Sequence, residues 1–156
     1  MEKSTVQADF QLMDNYISDF SLKVFNKLNS DRNLGINANI GFRIVNINEK
    51  ELIGQIELKY DIDVVDNEIK EENNKVAKIN ITMNALFKGT GDIDLKKFEE
   101  MLRLNGATTL SHLCRAYINN ATALSGMPTI TMPLINFYEF FKNAVEETEE
   151  SKIEEN

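Results

Sequence analysis

The chain has one histidine and one cysteine among its 156 residues, His112 and Cys114, placed two apart. Metal binding and thiol catalysis both need such side chains to converge on one point. On a helix, residues two apart point to different faces. The pair therefore reads as a surface histidine and a buried packing cysteine, not as two ligands or a nucleophile with its base. Gly89–Thr90–Gly91 lacks the further glycines and the lysine with which a phosphate loop cradles its ligand, and it reads as a turn. Asp61, Asp63 and Asp66 lack the remaining ligand positions of a calcium loop and read as a solvated strand face. Asn80–Ile81–Thr82 and Asn120–Ala121–Thr122 match the glycan acceptor pattern but fall inside regular elements. No acid–base pair or nucleophile constellation is readable. The expectation is no enzyme, no cofactor and no metal.

One segment stands out for a different chemistry. Met127 to Ile135 holds both prolines of the chain, Pro128 and Pro133, with Ile130, Met132 and Leu134 between and beside them. Connections are normally polar and exposed. An apolar connection stiffened by proline must either pack on its own sheet or offer an adhesive surface, a use that suits the adaptable thioether of methionine. Both readings stand at this point.

The elements that must position this segment follow from periodicity. Phe10, Leu12, Tyr16, Phe20, Leu22 and Val24 alternate with mostly polar residues, with interruptions at Asp14 and Ser18 that predict a bend or bulge. After a polar loop from Asn26 to Leu34, Ile36, Ala38, Ile40, Phe42 and Ile44 alternate with Asn37, Asn39, Gly41 and Arg43. A third run carries Leu52, Ile56, Leu58, Tyr60, Ile62 and Val64. Asp66 to Asn74 reads as a charged hairpin loop, and a fourth run carries Ala77, Ile79, Ile81, Met83, Ala85 and Phe87. Short links between alternating strands predict an antiparallel meander. Asp94 can cap a helix from Leu95 to about Leu104, with Gly106 stopping or kinking it. Leu110, Leu113, Cys114, Tyr117, Ile118, Ala121 and Leu124 make one stripe of a long helix. Asn136 with Glu139 forms a capping box for a last helix from Phe137 to about Glu146. Strands followed by helices give an α+β class: a four-stranded antiparallel sheet, a long helix, an apolar crossover loop and a short C-terminal helix.

Composition bounds the rest. The length fits one domain, and 42% apolar with 27% charged residues is ordinary for a globular chain. A net charge of −8 argues against nucleic acid as a general partner, which is bound mainly through clustered Lys and Arg. No run approaches the 18 apolar residues of a membrane span, and the first twenty residues do not read as a signal peptide, so a cytoplasmic location without stable membrane insertion is expected. Glu146 to Asn156 carry six Glu and one Lys, a net −5. Such a block repels itself and predicts a disordered acidic tail at 146–156 after a domain at 1–145.

The order of these features resembles the SecB family of export chaperones. The matching residues are Ser125–Gly126–Met127–Pro128–Thr129–Ile130, then Met132 and Pro133, then Ile135–Asn136–Phe137–Tyr138–Glu139–Phe140–Phe141. They are similar to that family's helix end, Gly-x-Pro crossover and aromatic closing helix. Phe10–Gln11–Leu12 and Ile17–Ser18–Asp19–Phe20–Ser21–Leu22 resemble its first strand. The resemblance implies a homotetramer, a dimer of dimers with the helices in the middle and the sheets outward. It implies a non-enzymatic protein that holds unfolded preproteins in apolar grooves and passes them to the SecA translocase motor through acidic residues of the sheet face. Asp19 matches one of those residues, whereas Lys23 and Asn80 stand at two other acidic positions. SecB-like relatives also serve as chaperones of antitoxins in toxin–antitoxin systems.

On that footing the expected function is an ATP-independent holdase for unfolded or precursor polypeptides. The candidate client-binding residues are Phe42, Ile44, Met127, Ile130, Met132, Phe137 and Phe141, and the candidate translocase contact is Asp19. A chaperone dedicated to one antitoxin is the alternative. A small-ligand carrier or enzyme with a sheet–helix pocket is a third reading, from another class.

Overall fold

The computed structural model describes residues 8–27, 31–47, 51–70, 72–91 and 93–144. Four long strands, β1 (Phe10–Val24), β2 (Arg32–Ile47), β3 (Leu52–Asp66) and β4 (Lys75–Gly89), form one antiparallel sheet. Three helices follow: α1 (Leu95–Met101), α2 (Ala107–Leu124) and α3 (137–144). This is the α+β architecture read from the sequence. The acidic tail at 146–156 lies outside the described residues.

Strand order is the first departure. Neighbours are antiparallel as expected, but the order is β1-β4-β3-β2, so the sheet is a Greek key and not a meander. The link from Val24 to Arg32 must cross three strand spacings, roughly 14 Å. Seven residues reach about 24 Å when extended, so a short link did not require β1 and β2 to pair. Phe25 and Asn26 donate to the Val76 carbonyl on the way. The second strand starts at Arg32, two residues before the end of the predicted loop.

Register decides which side chains meet the helices. In β3, and in β4 from Ala77 onward, the alternation holds, and Ile56, Leu58, Tyr60, Ile62, Ile79, Ile81, Met83 and Phe87 are buried on the inner face; the one irregularity in their pairing lies between Val64 and Val65, opposite Val76. The first strand is interrupted twice, between Leu12 and Asp14 and between Ile17 and Asp19. These are the predicted bulges. The extra residue Met13 turns Tyr16 to the outer face opposite Asn84, and Ile17 takes the inner position opposite Met83. Ser18 is the second extra residue, after which Phe20 and Leu22 pack on the core. The reading of Tyr16 as core-facing is thereby corrected.

The helical layer lies on the inner face. Asp94 caps α1, its carboxylate accepting from the Lys97 N–H at 2.8 Å. Phe98 and Leu102 press on the sheet where only glycine leaves room. A Cβ on Gly89 would lie 2.6 Å from the Phe98 ring, and one on Gly54 would lie 2.5 Å from Leu102. Gly106 neither stops the helix nor breaks it. A π turn at Leu102–Gly106 carries the backbone from α1 into α2, with Gly106 buried against Ile56 and Phe87. Close packing on the sheet thus keeps helical a glycine that propensity alone would assign to a stop.

Along α2, Leu110, Ser111, Cys114, Ile118 and Thr122 are buried and His112 is exposed. The Tyr60 and Ser111 hydroxyls share a hydrogen bond at 2.8 Å. Burial pushes the Tyr60 phenol up to about 12, against the lowering effect of that bond and helped by the nearby Cys114. Burial alone raises the Cys114 thiol to about 12, so the thiol stays protonated and acts as packing, 3.9 Å from the Met83 sulfur. Among the described residues no helix is long and apolar enough to cross a membrane.

Candidate functional site

The crossover after α2 is an extended segment whose side chains alternate. Ile130 and Met132 point into the core and are each 1% exposed, while Thr129, Thr131, Pro133 and Leu134 are exposed. Three hydrogen bonds fix this orientation. The Ile130 N–H donates to the Thr122 hydroxyl at 3.0 Å, Arg115 donates to the Met132 carbonyl at 2.7 Å, and Arg32 donates to the Thr129 carbonyl at 2.9 Å. Of the two readings of the apolar connection, packing on its own sheet describes Ile130 and Met132. Met127 is half-buried and packs against the same core.

The remaining candidates gather at the far end of the crossover. Asn136 accepts from the Glu139 N–H at 3.3 Å and starts α3. Phe137 at its first turn is buried, whereas Phe141 is half-buried and Tyr138 exposed. Phe141 meets the ring of Phe42 edge-on, with centroids 6.4 Å apart, and Phe140 and Phe137 pack beside it at 5.5 and 6.4 Å. Ile44 is two residues from Phe42 on the inner side of β2 and is half-buried. The structure therefore brings Phe42, Ile44, Phe137 and Phe141 to one rim of the sheet. Ile130 and Met132 belong to the core beneath the crossover.

Two features of this rim carry no periodic signal in the sequence. The guanidinium of Arg103, from the π turn, lies 4.5 Å from the centroid of Phe42. Beyond it, between α1 and α3, opens a cleft of about 680 Å³. Arg103, Leu104, Tyr138 and Phe141 line it, with Lys96, Lys142, Glu99 and Glu100 around them. The position of Arg103 depends on the π turn, which no spacing rule predicts. Leu134, 67% exposed, and Leu124, 89% exposed, add apolar surface at the ends of the crossover.

Asp19 lies elsewhere. It is exposed on the outer face of the sheet, opposite Thr82. That face is polar and mixed in charge. Lys23 opposes Lys78 and Ser21 opposes Asn80, with Asp61 and Asp63 on the next strand. Ion pairs join Lys75 to Asp63 at 2.9 Å and Lys59 to Asp61 at 3.9 Å. Among the described residues no three His, Cys, Asp or Glu side chains are placed to hold a metal ion.

The family model described as preprotein translocase subunit SecB matches residues 3–148. No curated protein matches the sequence at a significant level. Among solved structures, the chain is similar to a SecB-like chaperone of Mycobacterium tuberculosis, solved in complex with a ChAD peptide from an antitoxin. The TM-score is 0.57 at 13% identity, over 81% of this chain and 91% of that one. A Streptococcus agalactiae protein of unknown function matches at a TM-score of 0.47 and 10% identity, over 80% of this chain and 96% of that one.

Proposed function

The chain belongs to the SecB family of chaperones, and from that premise we propose that it is an ATP-independent holdase that captures unfolded or precursor polypeptides at the rim of Phe42, Ile44 and Phe141. The observation that carries the reading is the apolar surface left open there. Phe42 is 37% exposed and Tyr138 64%, and Leu134 adds 67% exposed apolar surface on the crossover that leads into α3. With no phosphate-binding loop in the sequence, binding must draw on buried apolar area, about 1.5–3 kcal/mol for each side chain fully covered. Ordering a flexible client opposes this, so affinity comes from several side chains together. Phe137 holds α3 in place, and Met127, Ile130 and Met132 anchor the crossover on the core.

The same reading makes the protein a cytoplasmic oligomer, a tetramer of about 71 kDa (four times 17.8). Support comes from the exposed Leu12, Met13 and Tyr16 on the edge strand β1 and the exposed Tyr117 and Leu124 on α2. It assigns the outer face around Asp19 to a SecA-type motor. A dedicated antitoxin is the second reading of the client, favoured by the antitoxin peptide held by the structurally similar chaperone of Mycobacterium tuberculosis. The test is suppression of the aggregation of an unfolded test protein without nucleotide, with light scattering on the same sample and identification of polypeptides that co-purify from the native host. A holdase suppresses aggregation as an oligomer. One dominant small co-purifying protein selects the antitoxin reading and a broad set selects export. A monomer without suppression removes both.

A further inference from the structure

The geometry points to a docking site for the acidic C-terminal segment of a second copy of this chain, at the lysine pair Lys23 and Lys78 on the outer sheet face. The inference lies beyond the holdase reading and does not depend on it. Lys23 of β1 and Lys78 of β4 are direct cross-strand partners, with Cα atoms about 5 Å apart. Their chain neighbours Leu22 and Ile79 pack on the core. Both lysines therefore face outward, Lys23 exposed and Lys78 half-buried. Like charges directly opposite each other work against strand pairing. The nearest carboxylates are already engaged. Asp63, which opposes Lys78 from β3, is held by Lys75 at 2.9 Å, and Asp61 by Lys59 at 3.9 Å. Among the described residues neither Lys23 nor Lys78 has an ion pair. Asp19 lies four residues back along β1, about 13 Å away, beyond the screening length of about 8 Å at physiological salt.

Charge and reach select the occupant. Glu146 to Asn156 carry six Glu and one Lys, a net −5. A glutamate of this segment set against the unpaired ammonium groups relieves repulsion within the lysine pair and within the segment at once. The segment begins after α3, which lies beside Phe42 on the inner side of the sheet. Phe42 opposes Ile56, whereas Lys78 opposes Asp63, seven residues further along β3. That separation is about 23 Å. Residues 145–156 reach about 40 Å when fully extended. A route within one chain must cover that separation, cross from β2 to β4 and turn round the sheet edge, which leaves almost no glutamate to spare at the lysines. A neighbouring copy has no such limit.

A fluorescently labelled synthetic peptide of residues 145–156 is titrated into the full-length protein at low salt and followed by anisotropy. It should bind, and it should be released at about 1 M salt, where charges are screened beyond about 3 Å. The double variant Lys23→Gln, Lys78→Gln should weaken binding by about 2- to 30-fold, the range for two exposed ion pairs. Its melting temperature should hold or rise, because a like-charge pair is removed. The same peptide with its six Glu replaced by Gln should not bind. Light scattering at low salt should show the mass of the wild type rising with concentration and that of the double variant staying level. Equal peptide affinity in the wild type and the double variant overturns the lysine pair as the site. A wild-type mass independent of concentration overturns the second copy as the source of the segment. An oligothymidylate of the same net charge bound as tightly makes the pair a general polyanion contact and overturns the assignment.

Discussion

Replacing Ile130 by alanine should weaken the fold and leave the exposed rim intact. Its side chain is 1% exposed and packs in the cluster that holds Tyr60, Met83 and Ile118. The neighbouring backbone is held by the bond from Ile130 N–H to Thr122, so the crossover cannot easily collapse into the void. A buried Ile→Ala change with incomplete relaxation costs about 2–5 kcal/mol. In a chain of this length each kcal/mol moves the melting temperature by about 2–4 °C, which gives a drop of about 4–20 °C. Thermal unfolding followed by circular dichroism reads it, with binding of an unfolded polypeptide measured well below the transition as the second axis. Phe42→Ser is the counterpart. It removes a 37% exposed ring and should weaken binding with a smaller change in melting. An Ile130→Ala protein that melts like the wild type and has lost client binding would refute the inward orientation of the crossover.

Three further outcomes follow from the core. Cys114 is fully buried with its thiol raised to about 12, so a thiol reagent should modify it slowly in the native protein and fast in denaturant; equal rates would contradict its placement. Tyr60 and Cys114 are both raised in the folded state. The folded state therefore holds protons that the unfolded state releases, and stability should be full below pH ~8 and fall as pH rises from about 9 toward 12. Denaturant midpoints measured across that window check the sign, and a rising midpoint would contradict it. Gly89→Ala sets a Cβ 2.6 Å from the Phe98 ring; overpacking of this kind costs about 1–3 kcal/mol, and a melting temperature unchanged by the substitution would mean α1 does not seat there.

What was legible in the sequence is what one residue's type and its neighbours along the chain decide. Alternation in Ile56 to Val64 and Ala77 to Phe87 gave the two central strands, because both are buried on one face without interruption. The stripe from Leu110 to Ile118 gave α2, and Asp94 gave the start of α1. Alternation carries no information on which strands are neighbours, so the Greek key order was hidden. At Tyr16 a single inserted residue upstream reversed the face, and the period alone could not place it. Gly106 was read as a stop or a kink, and only the stop fails, because a glycine needed for close approach looks like a glycine that ends a helix. The site shows the same division. Phe42 and Phe141 were named from the family resemblance, and their contact is visible only in the structure; Ile130 and Met132 follow an i, i+2 alternation that a strand-like reading of the crossover would have turned inward. Arg103 depends on the π turn, a three-dimensional accommodation with no one-dimensional signature.

The central claim is that open apolar surface around Phe42 and Phe141 captures unfolded chain without nucleotide. Its most direct test is the dissociation constant of a permanently unfolded polypeptide for the wild type and for a Phe42→Ser, Phe141→Ser double variant of unchanged oligomeric state, each with and without ATP. The account predicts binding that is indifferent to ATP and weakened about tenfold or more by the double variant, since loss of one well-covered apolar side chain already exceeds 1.4 kcal/mol. Equal affinity of the two proteins would place capture elsewhere on the molecule, and a requirement for ATP would contradict the account outright.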